Sequence, residues 1–142
     1  MPSDTFSCTI TVNATTESIN AALQLPETWK GIGPIDTVWE STHQSGSLTG
    51  FKWSARAAGN SWEGTAKRAA DGAQGAMTFD LDSSEIAGSI TVSLESDGDA
   101  TALTVELSAR SKGLLAGMFW GVVADALRRG LPTQVEAFGK QF

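Results

Sequence analysis

Few side chains in this sequence are suited to acid–base or nucleophilic chemistry, which needs a titratable group in a shielded site or a nucleophile beside a base. His43 is the only histidine. It lies at the end of a predicted strand just before the turn signal Ser45-Gly46, and this position favours an exposed or hydrogen-bonded side chain. Cys8 is the only cysteine and shares an alternating apolar face with Phe6, which is typical of a small, inert core residue. We therefore predict no catalytic residue.

Arg68 is the charged residue best placed to bind a ligand. Alternation from Trp62 through Gly64 and Ala66 puts it on the inner face of a strand. There its guanidinium could hold a ligand carboxylate through two parallel hydrogen bonds. The turn signal Asp71-Gly72 shortly after it favours the alternative that Arg68 reaches solvent where the strand ends.

Two short motifs resemble ligand sites but lack residues that such sites require. Asp97-Gly98-Asp99 offers two carboxylates, but no further ligands follow at the spacing of a calcium loop, so a hairpin turn is the better interpretation. Gly31-x-Gly33 lacks the third glycine and the strand-to-helix context of a dinucleotide site. One cysteine and one histidine exclude an internal disulfide and the usual zinc clusters. The sequence predicts neither a metal site nor a cofactor.

The composition indicates one globular domain. The chain has 142 residues, of which 41% are hydrophobic and 18% charged, and a chain of this length can bury a sizeable core. Ten Lys and Arg against sixteen Asp and Glu give a net charge of −6, which repels nucleic acid and anionic lipid surfaces. No apolar stretch is long enough to span a membrane, and the first residues lack the pattern of a secretory signal. We expect a single cytoplasmic domain over residues 1–142, with no nucleic-acid partner and no integral membrane segment.

The first third of the chain predicts a strand, two short helices and a second strand. Apolar residues alternate over residues 6–12, the period of a strand with one buried face. Cap residues before Glu17 and an apolar face ending at Leu23 predict a helix, and Pro26 begins a second short helix. The second strand is predicted over residues 35–43.

Regular turn signals then divide the chain into a six-stranded antiparallel meander that includes this second strand. The signals are Ser45-Gly46, Gly59-Asn60, Asp71-Gly72, Ser83-Ser84 to Gly88, and Asp97-Gly98-Asp99. Apolar and polar residues alternate between them, so that one face of the sheet is apolar and the other faces water. The predicted wet face carries Lys52, Arg56, Glu63, Lys67, Asp80, Asp82, Glu95 and Glu106.

A long C-terminal helix is predicted from Leu114 to about Lys140. Its first three turns, up to Val123, are apolar nearly all round, so the helix must be covered on several sides, as a curved sheet can do. Pro132 removes one backbone N–H and predicts a kink near Arg128. The same apolar run is compatible with a monomer or with a homodimer.

Two segments, one near each end of the chain, have a residue pattern typical of a known superfamily. Residues 12–19, VNATTESI, lead from the first strand into the helix pair that ends with residues 25–29, LPETW. Residues 113–115, GLL, begin the last helix, which continues to residues 126–129, ALRR. With the order of elements above, these segments resemble the Bet v 1-like helix-grip (SRPBCC) superfamily, which includes START domains, polyketide cyclases and lipid-transport proteins. The resemblance implies an α+β fold in which a curved seven-stranded antiparallel sheet wraps around the C-terminal helix.

The resemblance further implies a cavity between the sheet and the C-terminal helix that holds a small hydrophobic or amphipathic ligand, such as a lipid, polyketide or quinone. We expect a carrier or binding protein. The alternatives are a cyclase or dehydratase-type enzyme acting on a ligand in the same cavity, and a protein-interaction module. Each large apolar residue on the inner face also fits a plain packed core. The candidate ligand-binding residues are Trp39, Phe51, Trp53, Trp62, Arg68, Phe79, Val92, Val105, Met118, Phe119 and Val122.

Overall fold

A computed structural model describes residues 2–30, 32, 35–57, 60–69 and 76–142. The strands are β1 (Ser3–Val12), β2 (Ile35–Gln44), β3 (Ser47–Ala57), β4 (Asn60–Arg68), β5 (Ala76–Ser83), β6 (Ile86–Asp97) and β7 (Ala100–Ser111). The helices are α1 (Thr16–Leu23), a 3₁₀-helix (Pro26–Trp29), α2 (Leu114–Met118) and α3 (Trp120–Gly139). The strands form one curved antiparallel sheet in the order β1-β7-β6-β5-β4-β3-β2, which confirms the predicted meander and the α+β class.

Alternation of apolar and polar residues gives the sheet two different faces. On β7, every second residue from Thr101 to Ser111 is buried. The charged residues predicted for the opposite face are all exposed. Ser45 and Gly46 have φ of 52° and 83°, the left-handed pair that a tight two-residue hairpin requires. The predicted turns at residue 59 and at residues 71–72, and the Gly31-x-Gly33 motif, lie outside the described residues.

Three aromatic rings pack together near the end of the 3₁₀-helix. The ring centroid of Trp29 lies 5.0 Å from that of Phe79 and 6.3 Å from that of Phe51, and the two phenylalanine centroids are 5.4 Å apart. Trp29 is fully buried, and its Nε1 donates a hydrogen bond to the Leu23 carbonyl at 3.0 Å. This bond ties the 3₁₀-helix to the last residue of α1. The cluster therefore fixes both short helices against the sheet.

The C-terminal helix is divided in two at Phe119, whose φ of −110° and ψ of 26° leave the helical range. Beyond this point α3 continues through Pro132 to Gly139. The residues that α3 buries are Trp120, Val123, Ala124, Leu127, Leu131, Val135 and Phe138. Within the described parts of the chain, no helix is both long and apolar enough to cross a membrane.

Three residues predicted to point from this helix towards the sheet lie on its outer side. Met118, Phe119 and Val122 are 66, 43 and 56% exposed. Val122 follows the buried Trp120 by two residues, which places it about 200° around the helix. Val123 and Ala124, three and four residues after Trp120, take the buried positions instead. The predicted inward orientation of these three residues is wrong.

A β-bulge in β2 also moves Trp39 off the predicted face. The pairing between β2 and β3 shifts between Ile35 and Thr37, where an extra residue is inserted. As a result, Val38 pairs with the buried Trp53, and Trp39 pairs with Lys52 on the exposed, charged face. Residues paired directly across an antiparallel sheet point to the same side. The prediction that Trp39 faces the interior is therefore wrong.

Glu85, in the turn between β5 and β6, holds the start of α2. Its Oε1 accepts a hydrogen bond from the backbone N–H of Ala116 at 2.9 Å, and its carbonyl accepts from the N–H groups of Lys112 and Gly113. We expect Glu85→Ala to lower the free energy of unfolding in urea by about 1 kcal/mol, the usual loss for a helix cap. Glu106→Ala, an exposed control on the outer face, should change stability by less than about 0.5 kcal/mol. Equal losses in the two variants would contradict the capping role.

Candidate functional site

An open cavity of about 630 Å³ lies between α1 and one end of the sheet, beside β4, β5 and β6. Its position follows from the topology, because α1 leaves the end of β1 and lies near this end of β6. The cavity is lined by Thr16, Glu17, Asn20 and Leu23 from α1, Arg68 from β4, Ala76 and Met77 from β5, and Val92, Leu94, Glu95 and Ser96 from β6.

The floor of the cavity is apolar and belongs to the inner face of the sheet. Met77 pairs with Val92 across β5 and β6, and both are buried. Leu94 follows on the same face of β6 and packs against the core. Leu23, the last residue of α1, closes this floor from the helix side. Alternation along the strands therefore supplies a continuous apolar surface to the cavity.

Arg68 is the cationic group of the cavity wall. It pairs with Phe79, which is fully buried, so its side chain lies on the inner face as the sequence predicts. It is half-buried, and its Nη1 donates a hydrogen bond to the Leu48 carbonyl at 3.3 Å. Glu17 and Glu95 also line the cavity, but both are exposed. Among the described lining residues, Arg68 is the one cation, and it is less exposed than the two carboxylates.

Two other polar groups on the inner face have no hydrogen-bond partner within the described part of the chain. The indole Nε1 atoms of Trp53 and Trp62 are buried and unpaired. Trp53 pairs with Gly64 across β3 and β4, and its ring lies over that glycine, with Cζ2 2.5 Å from the position a Cβ would take. Trp62 pairs with Ala55 on the same face. Both side chains point inwards, as predicted from the alternation.

No protein-family model matches the sequence, and a search of curated proteins finds no significant match. Solved structures do match it. A START superfamily protein from Mycobacterium smegmatis is 20% identical, with a TM-score of 0.72 over 96% of this chain and 97% of that chain. The Zhui aromatase/cyclase from a Streptomyces species is 14% identical, with a TM-score of 0.63 over 99% and 86%. A major latex-like protein from Panax ginseng is 10% identical, with a TM-score of 0.60 over 95% and 96%. The chain has the helix-grip fold.

The helix-grip sheet holds the predicted ligand-binding residues in several different settings. Arg68 and Val92 line the cavity. Phe51 and Phe79 pack with Trp29 into the aromatic cluster, and Val105 is buried in the core. Trp53 and Trp62 lie on the inner face, where their indole groups are unpaired. The residues placed elsewhere than predicted are Trp39, on the outer face, and Met118, Phe119 and Val122, on the exposed side of the C-terminal helix.

This cavity is distinct from the space predicted between the sheet and the C-terminal helix, which stays a prediction. Its helical wall is α1, and none of its described lining residues belongs to α2 or α3. The spacing of three residues in the sequence indicates which face of α1 forms this wall. Thr16, Asn20 and Leu23 are four and three residues apart, so they share one face of α1. Only Leu23 is apolar, however, and a polar helical face is normally assigned to solvent.

The two residues considered for acid–base and nucleophilic chemistry lie outside this cavity. His43 is exposed, and its Nε2 donates a hydrogen bond to the Gln24 carbonyl at 2.9 Å. Burial, with a smaller contribution from Glu136, raises the pKa of the Cys8 thiol. A raised pKa keeps the thiol protonated and weakly nucleophilic at neutral pH. Among the described residues, no cluster of three His, Cys, Asp or Glu side chains is arranged to hold a metal ion.

Proposed function

We propose that this protein binds a small amphipathic molecule in the cavity between α1 and the sheet. The observation that carries the proposal is the division of the cavity wall, with an apolar floor on the sheet and a polar rim that includes a half-buried arginine. Small-molecule sites are usually concave, mainly apolar and supplied with a few polar groups that orient the ligand. The cavity is concave and combines such polar groups with an apolar floor in about equal share.

The apolar part of the ligand would lie over Leu23, Met77, Val92 and Leu94. A volume of about 630 Å³ falls within the range of roughly 300–1,000 Å³ that such sites occupy. Burial of apolar surface contributes about 25 cal/mol per Å² before the entropy of association is subtracted. Contact with this floor would therefore contribute to the binding free energy.

The polar end of the ligand would lie at Arg68. The Leu48 carbonyl accepts a hydrogen bond from one guanidinium nitrogen, which orients the side chain on the inner face. A guanidinium has five N–H donors and holds carboxylates through two parallel hydrogen bonds. The same group also binds uncharged oxygen acceptors, with a smaller free energy. The proposal therefore favours a ligand with an acidic or oxygen-rich end.

The cavity wall favours a binding protein over an enzyme of the cyclase type. Among the described residues that line it, the titratable groups besides Arg68 are Glu17 and Glu95, which are both exposed to water. A general acid or base is most effective when it is shielded and its pKa lies near the working pH. A carrier needs only an apolar floor and an orienting group, and the cavity supplies both.

Titration calorimetry with dodecanoate and dodecanol tests this proposal, because the two probes differ only in their head group. We expect both to bind, and we expect Arg68→Met to weaken dodecanoate binding about tenfold or more, the factor for a charge-assisted hydrogen bond. Dodecanol should lose less than about threefold, since it gains less from the charge. Arg56→Met, on the exposed face of β3, should leave both affinities unchanged. Absence of binding by both probes would refute the proposal, and an equal loss for both would assign Arg68 a structural role.

A further inference from the structure

We propose that the cavity takes an elongated ligand with a polar group at each end: an acidic or oxygen-rich group at Arg68 and a hydrogen-bond donor, such as an ammonium group, at Glu17. This inference rests on the proposed binding function and specifies the second end of the ligand. The observation behind it is that the charged side chains of the cavity wall are divided between its two ends, with the apolar floor between them.

One end of the cavity lies where α1 begins. Ser96, on the cavity wall, pairs with Thr101 of β7, and Thr101 pairs with Val12, the last residue of β1. The Thr101 hydroxyl donates a hydrogen bond to the Ala14 carbonyl at 2.8 Å, which holds the chain beside this row of residues as it enters α1. The first turn of α1, which carries Glu17, therefore lies at the Ser96 end of the floor.

The other end of the cavity lies where α1 finishes. Gln24, the residue after α1, accepts a hydrogen bond through its Oε1 from the Leu48 N–H at 2.9 Å, and the Leu48 carbonyl accepts one from Arg68 Nη1 at 3.3 Å. Trp29, which is hydrogen-bonded to the last residue of α1, packs against Phe79, the strand partner of Arg68. Helix α1 therefore runs the length of the cavity and ends beside Arg68.

The strand register gives the separation of the two ends. Arg68 pairs with Phe79, and Phe79 pairs with Ile90, so Arg68 lies level with Ile90 of β6. Ser96 lies six residues further along β6, a distance of about 20 Å at the rise of a β-strand. The apolar floor occupies the interval. A ligand must therefore be elongated to reach both ends.

The charges at the two ends are opposite in sign. Arg68 is the one cation among the described lining residues, whereas Glu17 and Glu95 lie at the Ser96 end. Within the described part of the chain, no hydrogen bond or ion pair engages the Glu17 carboxylate. A carboxylate only accepts hydrogen bonds, so this end suits a donor. A primary amine is protonated at neutral pH and supplies three N–H donors together with the opposite charge.

Titration calorimetry with dodecanoate and 12-aminododecanoate tests the inference, because the two probes differ only in the terminal amine. An ammonium group without a partner loses hydration on an apolar surface, which would weaken binding. We expect 12-aminododecanoate to bind the wild-type protein at least as tightly as dodecanoate. Glu17→Gln should weaken 12-aminododecanoate about threefold, the factor for an exposed ion pair, and should not weaken dodecanoate. Arg68→Met should weaken both probes.

Glu27→Gln is the matched control. Glu27 is also an exposed carboxylate in the first turn of a helix, but it is not among the residues that line the cavity. The substitution removes the same charge as Glu17→Gln, so it reproduces any effect of net charge on binding. We expect it to leave both affinities unchanged. Equal losses of 12-aminododecanoate binding in the two variants would overturn the inference.

Nuclear Overhauser contacts between bound 12-aminododecanoate and the full chain report the orientation of the ligand. We expect the methylene next to the nitrogen to contact the Leu94 methyl groups, near the Ser96 end, and the methylene next to the carboxylate to contact the Met77 methyl group, near Arg68. The reverse pattern would overturn the inference. So would weaker binding of 12-aminododecanoate than of dodecanoate, whereas failure of both probes would refute the binding function as well.

Discussion

Trp29→Ala should lower the free energy of unfolding by about 3–5 kcal/mol, the range for removing a large aromatic side chain from a packed core. Trp29 is fully buried and touches the rings of Phe51 and Phe79. The substitution would leave a cavity beside these two rings. It would also remove the hydrogen bond from Nε1 to the Leu23 carbonyl, which would then be a buried acceptor without its partner. Urea unfolding followed by circular dichroism measures the loss.

Trp39→Ala is the matched control, because the same side chain is removed from the outer face of the sheet. The bulge in β2 pairs Trp39 with the exposed Lys52, and Trp39 is only partly buried. We expect it to change stability by less than about 1 kcal/mol, as is usual for a surface position. A larger loss for Trp39→Ala than for Trp29→Ala would contradict the positions assigned to both residues.

The regular strands of this fold could be predicted from the sequence because their side chains alternate strictly. Simple alternation places Arg68 and Val92 on the inner face, and both line the cavity. It also places Trp53 and Trp62 on that face, which the pairing of β3 with β4 confirms. Alternation cannot distinguish a residue that lines a cavity from one that packs in the core. Phe79, for example, lies on the same face as Arg68 but is enclosed by aromatic rings.

Side-chain orientation could not be predicted from the sequence where a single residue changes the periodicity. An inserted residue in β2 reverses the faces that follow it, and nothing in the residues from Ile35 to Trp39 marks the insertion. The C-terminal helix presents a similar difficulty, because its first turns are apolar nearly all round and so do not indicate a buried side. The break at Phe119 and the packing of Trp120 decide the orientation, and Met118 and Val122 are left exposed.

The position of the cavity depends on tertiary packing that no local pattern records. Helix α1 has only eight residues, and its cavity-lining residues are mostly polar. A sequence pattern assigns such a helix to the surface. In the folded chain the hydrogen bond from Trp29 to Leu23 holds the end of α1 against the core. The polar face of α1 then lies opposite Met77 and Val92, and the space between them is the cavity.

Gly64→Ala should lower the free energy of unfolding by about 1–3 kcal/mol, the range for inserting an atom into a filled core. A Cβ at this position would lie 2.5 Å from Cζ2 of Trp53 and would also collide with the Asp82 carbonyl oxygen. Such contacts force the tryptophan ring or the strand to move. A glycine inside a strand is otherwise unfavourable, so alanine would stabilise this position if space were available. The sign of the effect therefore reports whether the space beside Gly64 is filled.

A double-mutant cycle separates the two collisions. In a chain that already carries Trp53→Ala, Gly64→Ala should have a smaller effect, because the ring is gone, but it should still destabilise the sheet because the Asp82 carbonyl remains. Gly121→Ala is the control, since a Cβ there meets no atom within 4 Å in α3, and it should stabilise the helix by about 0.5–1 kcal/mol. If Gly64→Ala stabilised the protein as Gly121→Ala does, the ring would lie elsewhere.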